Sequence, residues 1–255
     1  MGDCKRGSIT RDDINNGTKG ATVNFKKMIA ILSVSGLSMV YGASAVKFDL
    51  FPYPQIVSIK HNSTKEVRSP YYFGKKSFFE QHGKQFPIVM VGDSITDQPE
   101  WGELLGQRDI ANRGIGGDTT EGVLERMDSI YSTGAKKAFV MIGINDITHS
   151  KDIDAVFKNY TEIVDLLIAH NMAPYIQSTL LTGKKMVKYN GEVVRLNKKL
   201  LAYANEKSIP FIDLNAVLSA NGVLADEYTT DGVHLNGSAY ALWGQAISPY
   251  VMADL

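Results

Sequence analysis

Short apolar runs alternate with helix-like segments from residue 87 to the C-terminus, and this alternation limits the folds open to the chain. The apolar runs are 88–91, 110–112, 138–142, 174–180 and 211–214. Such runs predict buried strands, and helices between successive strands are typical of parallel pairing. The pattern therefore predicts an α/β fold in which helices cover both faces of a five-stranded parallel sheet.

Helical periodicity fills the segments between these runs. The predicted helices are 100–105, 153–170, 193–206 and 238–252, with a further helix that Asp118 or Thr119 caps and that continues through Met127. In 153–170 the apolar side chains recur on one side, as in a helix that packs on a sheet. An earlier helix is predicted over 71–82, and we expect its aromatic side chains to pack on the main domain.

Polar residues follow the predicted strands, at the edge where the carboxyl ends of parallel strands meet and ligands bind. In strand order they are Ser94, Gly117 and Asn145, with Asp231 and His234 on the long connection after the fifth strand. The sequence therefore predicts a site in the crevice at this edge of the sheet. The tripeptide 92–94 (GDS) alone would indicate only an ordinary turn. The polar residues that follow the other strands are what make it a candidate site.

A serine, a histidine and an aspartate in this set have the chemistry of nucleophilic catalysis. Ser94 lies where a strand turns into a helix, which favours an exposed nucleophile. A serine hydroxyl needs a base that titrates near neutral pH, and the base needs an acceptor to orient it. Asp231 precedes His234 by three residues, so its carboxylate can reach the far side of the imidazole. The predicted roles are nucleophile, base and orienting acid.

Acyl transfer also needs donors that face the developing oxyanion. The candidates are the backbone N–H groups of Ser94 and Gly117 and the side-chain amide of Asn145. For Gly117 and Asn145 an ordinary turn is the alternative, and both interpretations can hold together. Asp93 and Asp146 are expected to support turns.

Four short motifs together resemble the SGNH (GDSL) hydrolase family: GDS at 92–94, GIGGDTT at 114–120, GIND at 143–146 and DGVH at 231–234. The resemblance is strongest to the branch with platelet-activating-factor acetylhydrolase subunits and bacterial carbohydrate acetylesterases. It implies a three-layer α/β/α, flavodoxin-like fold, a Ser94–His234–Asp231 triad, and an oxyanion hole formed by Ser94, Gly117 and Asn145. The first motif continues as GDSIT rather than GDSL.

The N-terminal region is predicted to direct export. Lys26 and Lys27 precede an apolar stretch, 28–40, and Ala43 and Ala45 supply a small-residue cleavage pattern, as in a secretory signal peptide. We therefore divide the chain into an extension with signal peptide (1–45, cleaved near Ala45), a segment that packs on the main domain (46–86) and the hydrolase domain (87–255). The alternative is a membrane anchor, although the apolar stretch is short for a span.

The resulting prediction is a secreted serine esterase that uses no cofactor or metal. Zero net charge gives no electrostatic reason for a nucleic-acid partner, and no stable membrane insertion is expected after cleavage. Polar loops at 182–191 and 216–230 favour short acyl esters of carbohydrates, with a lipid acylhydrolase (lysophospholipase or thioesterase type) as the alternative. Two other classes stay open. One is a non-catalytic carbohydrate-binding protein that uses Trp101, Trp243 or the tyrosine-rich start as sugar platforms. The other is a metallophosphoesterase, whose metal ligands would come from Asp93, Asp97, Asn145, Asp146, Asp231 and His234.

Overall fold

The computed structural model of the chain describes residues 68–83, 85–106 and 109–252. The predicted signal peptide, its cleavage site near Ala45 and most of the 46–86 segment lie outside these residues. Within the described ranges, no helix has both the length and the apolar character needed to cross a membrane.

A five-stranded parallel sheet forms the centre of the fold, as predicted. Its strands are β1 (Ile88–Gly92), β2 (Ile110–Gly114), β3 (Lys137–Met141), β4 (Ala173–Gln177) and β5 (Phe211–Ile212). They lie in the order β2-β1-β3-β4-β5, and every neighbouring pair is parallel. This is the flavodoxin-like order, in which the chain reverses its winding direction between β1 and β3.

Helices flank the sheet along the whole described chain. They are α1 (Pro70–Gln81), α2 (Ser94–Asp97), α3 (Trp101–Leu105), α4 (Thr120–Leu124), α5 (Met127–Tyr131), α6 (Ile144–Thr148), α7 (Ile153–Ala169), α8 (Asn190–Lys207), α9 (Asn215–Leu218) and α10 (Gly237–Met252). Short 3₁₀ turns cover Lys184–Tyr189 and Asp226–Tyr228, and a small hairpin pairs β6 (Ser219–Ala220) with β7 (Val223–Leu224). The α/β fold class is therefore confirmed.

The core lies between the sheet and its helices. All five residues of β1 and of β3 are buried, as expected for central strands of a parallel sheet. Tyr160 of α7 is fully buried, and its hydroxyl donates to the carbonyl of Val140 at 2.7 Å. Trp101 and Trp243 are also buried and meet edge to face, 5.1 Å between ring centroids. Both tryptophans are core residues, so neither can serve as a sugar platform.

The elements after β3 end earlier than the apolar runs predict. β4 ends at Gln177 rather than at residue 180, and the side-chain oxygen of Asn197 accepts a hydrogen bond from the backbone N–H of Thr179 at 2.9 Å. β5 ends at Ile212 rather than at residue 214, and the hydroxyl of Ser178 accepts a hydrogen bond from the backbone N–H of Leu214 at 2.9 Å. Side chains thus replace the sheet ladder as partners for buried backbone groups.

Helix α1 is present where residues 71–82 predict one. Ser69 caps it, and Pro70 occupies its first turn, where the missing N–H costs nothing. Tyr72 and Phe79 are buried together with Ile115, while three further aromatic side chains of this helix, Tyr71, Phe73 and Phe78, are exposed. Only part of the aromatic face is therefore core.

Candidate active site

The corner between β1 and α2 presents Ser94. Asp93 has extended backbone and caps α2, with Oδ1 accepting from the N–H of Ile95 at 3.0 Å. Ser94 is the first helical residue and is half-buried. A side chain on Gly92 would overlap the carbonyl of Met141 and the side chain of Thr96, so only glycine allows this close approach. The local sequence thus fixes both the turn and the exposure of Ser94.

Asp231 and His234 form a compact turn ahead of α10. Oδ1 of Asp231 accepts from the backbone N–H groups of Val233 and His234, both at 2.8 Å, and Oδ2 lies 2.6 Å from His234 Nδ1. The hydroxyl of Thr229 donates to the carbonyl of His234 at 2.7 Å and accepts from Gly232 N–H at 2.9 Å. The carboxylate and the imidazole are therefore oriented by contacts within six residues.

The structure joins these two corners into one chain of hydrogen bonds. Ser94 Oγ lies 2.9 Å from His234 Nε2, and Asp231 holds the other ring nitrogen. Partial burial raises the pKa of Asp231, but hydrogen bonds from His234 and from the backbone N–H of Val233 outweigh it, and the pKa falls to about 2. Asp231 is therefore a carboxylate at neutral pH, as an orienting acceptor must be.

Gly117 and Asn145, the candidate oxyanion donors, lie on loops that are fastened to each other. Gly117 is exposed between β2 and α4 and has φ of 75°, a left-handed conformation that favours glycine. Asn145 is in the first turn of α6, and its Nδ2 donates to the carbonyl of Asp118 at 2.8 Å. A side-chain amide carries two N–H groups, and this bond uses one of the two N–H groups of Asn145.

A buried polar network beneath the site ties the motif loops together. Arg126 and Asp118 are paired at 2.8 Å with both side chains fully buried, and Arg126 Nη2 also donates to the carbonyl of Gly92 at 3.2 Å. Asp146 accepts from Thr120, at 3.0 Å from the backbone N–H and 2.7 Å from the hydroxyl. The residues before Ser94, after Gly117 and after Asn145 are thereby held in fixed relation.

Sequence reasoning missed the role of Asp118 in this network. Thr119 caps α4, with its side chain accepting from Gly122 N–H, and this leaves Asp118 free to pair with Arg126. The helix that was expected to run through Met127 is broken at residues 125–126. The sequence does contain a basic residue, Arg126, eight positions after the acidic Asp118. In a regular helix, however, side chains eight positions apart do not contact each other, so the spacing did not predict this pair.

Asp93 is a buried acid next to Ser94 in the chain. Its side chain is inaccessible, and within the described part of the chain Oδ2 has no hydrogen-bond partner. Burial raises the pKa of Asp93 to about 7, aided by the nearby carboxylates of Asp118 and Asp146 and opposed by the hydrogen bond from Ile95. Asp93 is therefore largely protonated at mildly acidic pH.

Two of the side chains that could bind a metal, Asp97 and Asp146, are engaged with other partners. Asp97 binds Tyr71 and Lys75, and Asp146 binds Thr120. Across residues 68–83, 85–106 and 109–252, no group of three or more His, Cys, Asp or Glu side chains is arranged to hold a metal ion.

Two curated relatives match much of this region. An N-acylneuraminate cytidylyltransferase of Streptococcus agalactiae serotype III (strain NEM316) is 24% identical over 167 residues, which are 66% of this chain and 39% of that protein. Platelet-activating factor acetylhydrolase IB subunit alpha2 of Rattus norvegicus is 25% identical over 166 residues, 62% of this chain and 72% of that protein. The chain thus spans about 39% of the length of the first of these relatives.

Solved structures share the fold. A GDSL-like lipase from Bacteroides thetaiotaomicron VPI-5482 superposes with a TM-score of 0.64 at 21% identity, covering 72% of this chain and 98% of that one. The acetyl xylan esterase AlAXEase superposes with a TM-score of 0.57 at 21% identity, covering 65% of this chain and 99% of that one.

A family model covers most of the sheet and the site. The model of the GDSL-like lipase/acylhydrolase family matches residues 90–242, which contain all four motifs. The predicted resemblance is therefore confirmed at the level of the family. The chain belongs to the GDSL-like lipase/acylhydrolase family.

Proposed function

We propose that the protein is a serine-dependent carboxylic ester hydrolase that works through an acyl-enzyme. One observation carries this proposal: the unbroken chain of hydrogen bonds from Ser94 Oγ through His234 to Asp231, with heavy-atom distances of 2.9 and 2.6 Å. These are the distances at which a base can take the proton of a nucleophile while a carboxylate orients the base. Family membership supports the same reaction class.

The first half-reaction forms the acyl-enzyme. His234 Nε2 accepts the hydroxyl proton of Ser94 as Oγ bonds to the acyl carbon, and the carbonyl π electrons move onto its oxygen. When the tetrahedral intermediate collapses, the bond from the acyl carbon to the alcohol oxygen breaks, and His234 returns the proton to the leaving alkoxide. Asp231 stabilises the positive imidazolium between these two steps.

The second half-reaction repeats the sequence with water. His234 takes a proton from water, the hydroxide bonds to the acyl carbon, and Ser94 Oγ leaves and recovers the proton. In both halves the N–H groups of Ser94 and Gly117 and the second amide N–H of Asn145 stabilise the oxyanion. Such donors cost no reorganisation when they are already held in place, and the Asn145–Asp118 bond supplies that restraint.

The substrate class that we propose is a short acyl ester, such as acetate, on a carbohydrate. A cavity of about 350 Å³ opens beside Asp231 and is lined by Gly183, Lys184, Lys185, Asp226, Thr229, Thr230, Asp231 and Gly232. Hydroxyl, ammonium and carboxylate groups suit a polyhydroxyl alcohol. An apolar groove of about 290 Å³ lies elsewhere and includes none of the three proposed catalytic residues. The name of a structure with the same fold, an acetyl xylan esterase, also supports an acetylated carbohydrate as the substrate.

A lipid acylhydrolase is the second candidate, favoured by the name of the family. A series of p-nitrophenyl esters from acetate to palmitate separates the two. We expect kcat/KM to fall as the acyl chain lengthens, since the cavity beside Asp231 is lined by glycine, lysine, threonine and aspartate and offers no large apolar side chain to a long acyl group. A higher kcat/KM on the long-chain esters would contradict the carbohydrate ester proposal and support a lipid acylhydrolase.

The reaction itself is tested by labelling and substitution. A fluorophosphonate probe should label the protein at Ser94, and Ser94→Ala should abolish labelling and reduce kcat on p-nitrophenyl acetate by about four orders of magnitude or more. Ser77→Ala, at an exposed serine of helix α1, is the matched control and should change neither result. Undiminished turnover by the Ser94 variant would overturn the proposal.

We also propose that the protein is exported after cleavage near Ala45. Support comes from the basic, apolar and small-residue order of residues 26–45. N-terminal sequencing of protein recovered outside the cytoplasm should begin close to Val46, and retention of the full N-terminus in that fraction would contradict the proposal.

A further inference from the structure

Tyr71, on helix α1, lies beside the site without belonging to the four motifs. We propose that its ring forms one wall of the substrate site and is the surface on which a sugar ring of the substrate stacks. This inference rests on the proposed esterase function. It assigns a binding role to helix α1, which lies outside the residues, 90–242, that the family model matches.

Two contacts place Tyr71 at the mouth of the site. A Cβ added to Gly116 would lie 3.3 Å from Cε1 of Tyr71, so the ring borders the loop that carries Gly117. The hydroxyl of Tyr71 donates to Oδ2 of Asp97 at 2.5 Å. Asp97 follows Ser94 by three residues on α2, and residues so spaced lie on one side of a helix. Tyr71 therefore touches both elements that bring the nucleophile and its oxyanion donor together.

The ring is held in one orientation. Lys75 Nζ also binds Asp97, at 2.7 Å from Oδ1, and lies 5.8 Å from the centroid of the Tyr71 ring. The hydrogen bond to Asp97, with burial and the charge of that carboxylate, raises the pKa of Tyr71 to about 12, so the hydroxyl stays a donor. A side chain already fixed in the free protein loses little conformational entropy when a ligand packs on it.

Exposure and chemistry select this ring from the other candidates. Trp101, Trp243 and Tyr72 are at most 2% exposed, whereas Tyr71 is 50% exposed. The C–H face of a pyranose packs on an aromatic face as other apolar surface does. Lys75 Nζ lies over the ring at 5.8 Å from its centroid, and Asp97 binds the ring hydroxyl, so both charged groups are placed to bind sugar hydroxyls. An aromatic face bordered by polar groups suits a carbohydrate better than an acyl chain.

The test compares an acetyl ester on a sugar with one that has no ring. The substrates are methyl tri-O-acetyl-β-xylopyranoside and ethyl acetate, and the variants are Tyr71→Ala, Tyr71→Trp and, as matched control, Phe73→Ala, an exposed aromatic on the same helix. For Tyr71→Ala the ratio of kcat/KM on the sugar acetate to that on ethyl acetate should fall about tenfold, mainly through KM. Tyr71→Trp should restore the ratio, and Phe73→Ala should leave it unchanged.

Binding without turnover separates this inference from the proposed function. In the Ser94→Ala background, calorimetry with the acetylated xyloside should show about tenfold weaker binding when Tyr71→Ala is added. That result would support the platform even if no ester were hydrolysed. A fall of equal size on both substrates, no change in either, or failure of the wild type to bind or turn over the sugar acetate while it cleaves ethyl acetate would overturn the inference. Should Tyr71→Ala not fold, Tyr71→Leu, which keeps apolar bulk but no ring, replaces it.

Discussion

Ser94 Oγ and His234 Nε2 lie 2.9 Å apart although 140 positions separate the two residues in the chain. Ser94 is held by the β1–α2 corner and His234 by the turn before α10, so the contact between them depends on the docking of α10. Tyr240 of α10 contributes to that docking, because its hydroxyl donates to the carbonyl of Ile95 at 2.8 Å, one residue after Ser94. The geometry of the proposed catalytic residues is therefore tied to the packing of the last helix.

Asp231→Asn should reduce kcat by about three to four orders of magnitude. An asparagine can present an N–H to Nδ1 of His234, which favours the ring tautomer unable to accept the proton of Ser94. The measurement is kcat on p-nitrophenyl acetate with near-UV circular dichroism as a check of folding. Because the pKa of Asp231 is about 2, wild-type activity should not be limited by protonation of this group above about pH 3.

Asp226→Asn is the control for that substitution. Asp226 lines the same cavity and pairs with Lys184 at 2.6 Å, but both side chains are well exposed. Exposed ion pairs contribute little to stability, so the fold should be intact, and kcat on p-nitrophenyl acetate, which has no sugar to bind in that cavity, should stay within about twofold of wild type. Equal losses in the two variants would mean that charge near the cavity, rather than orientation of His234, is what matters.

Asn145→Ala should lower kcat by about 10²–10³ with little change in KM, because an oxyanion donor acts mainly in the transition state. Asn145→Asp should be at least as severe, since a carboxylate would face both the oxyanion and the carbonyl of Asp118. Asn159→Ala is matched to it: Asn159 is also half-buried and donates to Thr120 Oγ1 at 3.2 Å in the same network. A kcat for Asn159→Ala as low as that of Asn145→Ala would remove the specific role of Asn145.

Asp93 should make the protein less stable as pH rises from about 4 to about 7. The folded pKa of about 7 lies above the unfolded value, so in this window the native state keeps a proton that the unfolded state has lost. The free energy of unfolding should therefore fall by up to about 4 kcal/mol across the window and be constant above it, as far as this group is concerned.

Asp93→Asn should flatten that pH dependence, which urea unfolding at pH 5 and pH 8 measures. Asp154→Asn is the control, because Asp154 is exposed and its pKa is lowered by a hydrogen bond from Lys199, so it titrates below the window. An Asp93 variant with the slope of the wild type would show that Asp93 is ionised throughout.

Arg126→Met should lower the free energy of unfolding by about 3–5 kcal/mol, because it leaves the fully buried Asp118 carboxylate without its cation. Burial raises the pKa of Asp118 and Arg126 opposes that rise, so the variant should also regain part of its stability at acidic pH. Arg195→Met, which breaks an exposed pair with Glu192, should cost less than about 1 kcal/mol. Similar losses in both would contradict the buried pair's role.

Local relations in this protein were predictable from sequence, and long-range polar ones were not. The Asp231–His234 contact spans three residues, so spacing alone indicated it. The five strands followed from apolar runs, but the ends of β4 and β5 depend on side chains such as Asn197 and Ser178, which no run of apolar residues encodes. The Arg126–Asp118 pair forms across a helix break, which the periodicity did not reveal.

The aromatic residues of α1 illustrate the same limit. Tyr71, Tyr72 and Phe73 are consecutive, so they point in three directions around the helix, and periodicity cannot choose which of them is buried. The choice is made by neighbours distant in sequence: the carbonyl of Gly122 accepts from Tyr72, and Asp97 accepts from Tyr71.

The turn from Thr229 to His234 has a consequence for how such a site can change over time. Asp231 orients His234 through hydrogen bonds inside that turn. The rest of the protein therefore has to preserve only the distance from His234 to Ser94 for these two residues to keep their relation to the serine. Insertions or substitutions in the other loops that meet the substrate leave that distance unchanged as long as α10 stays docked. The fold can therefore acquire new ester specificities through changes in separate substrate-contacting loops, while the arrangement of Ser94, His234 and Asp231 stays the same.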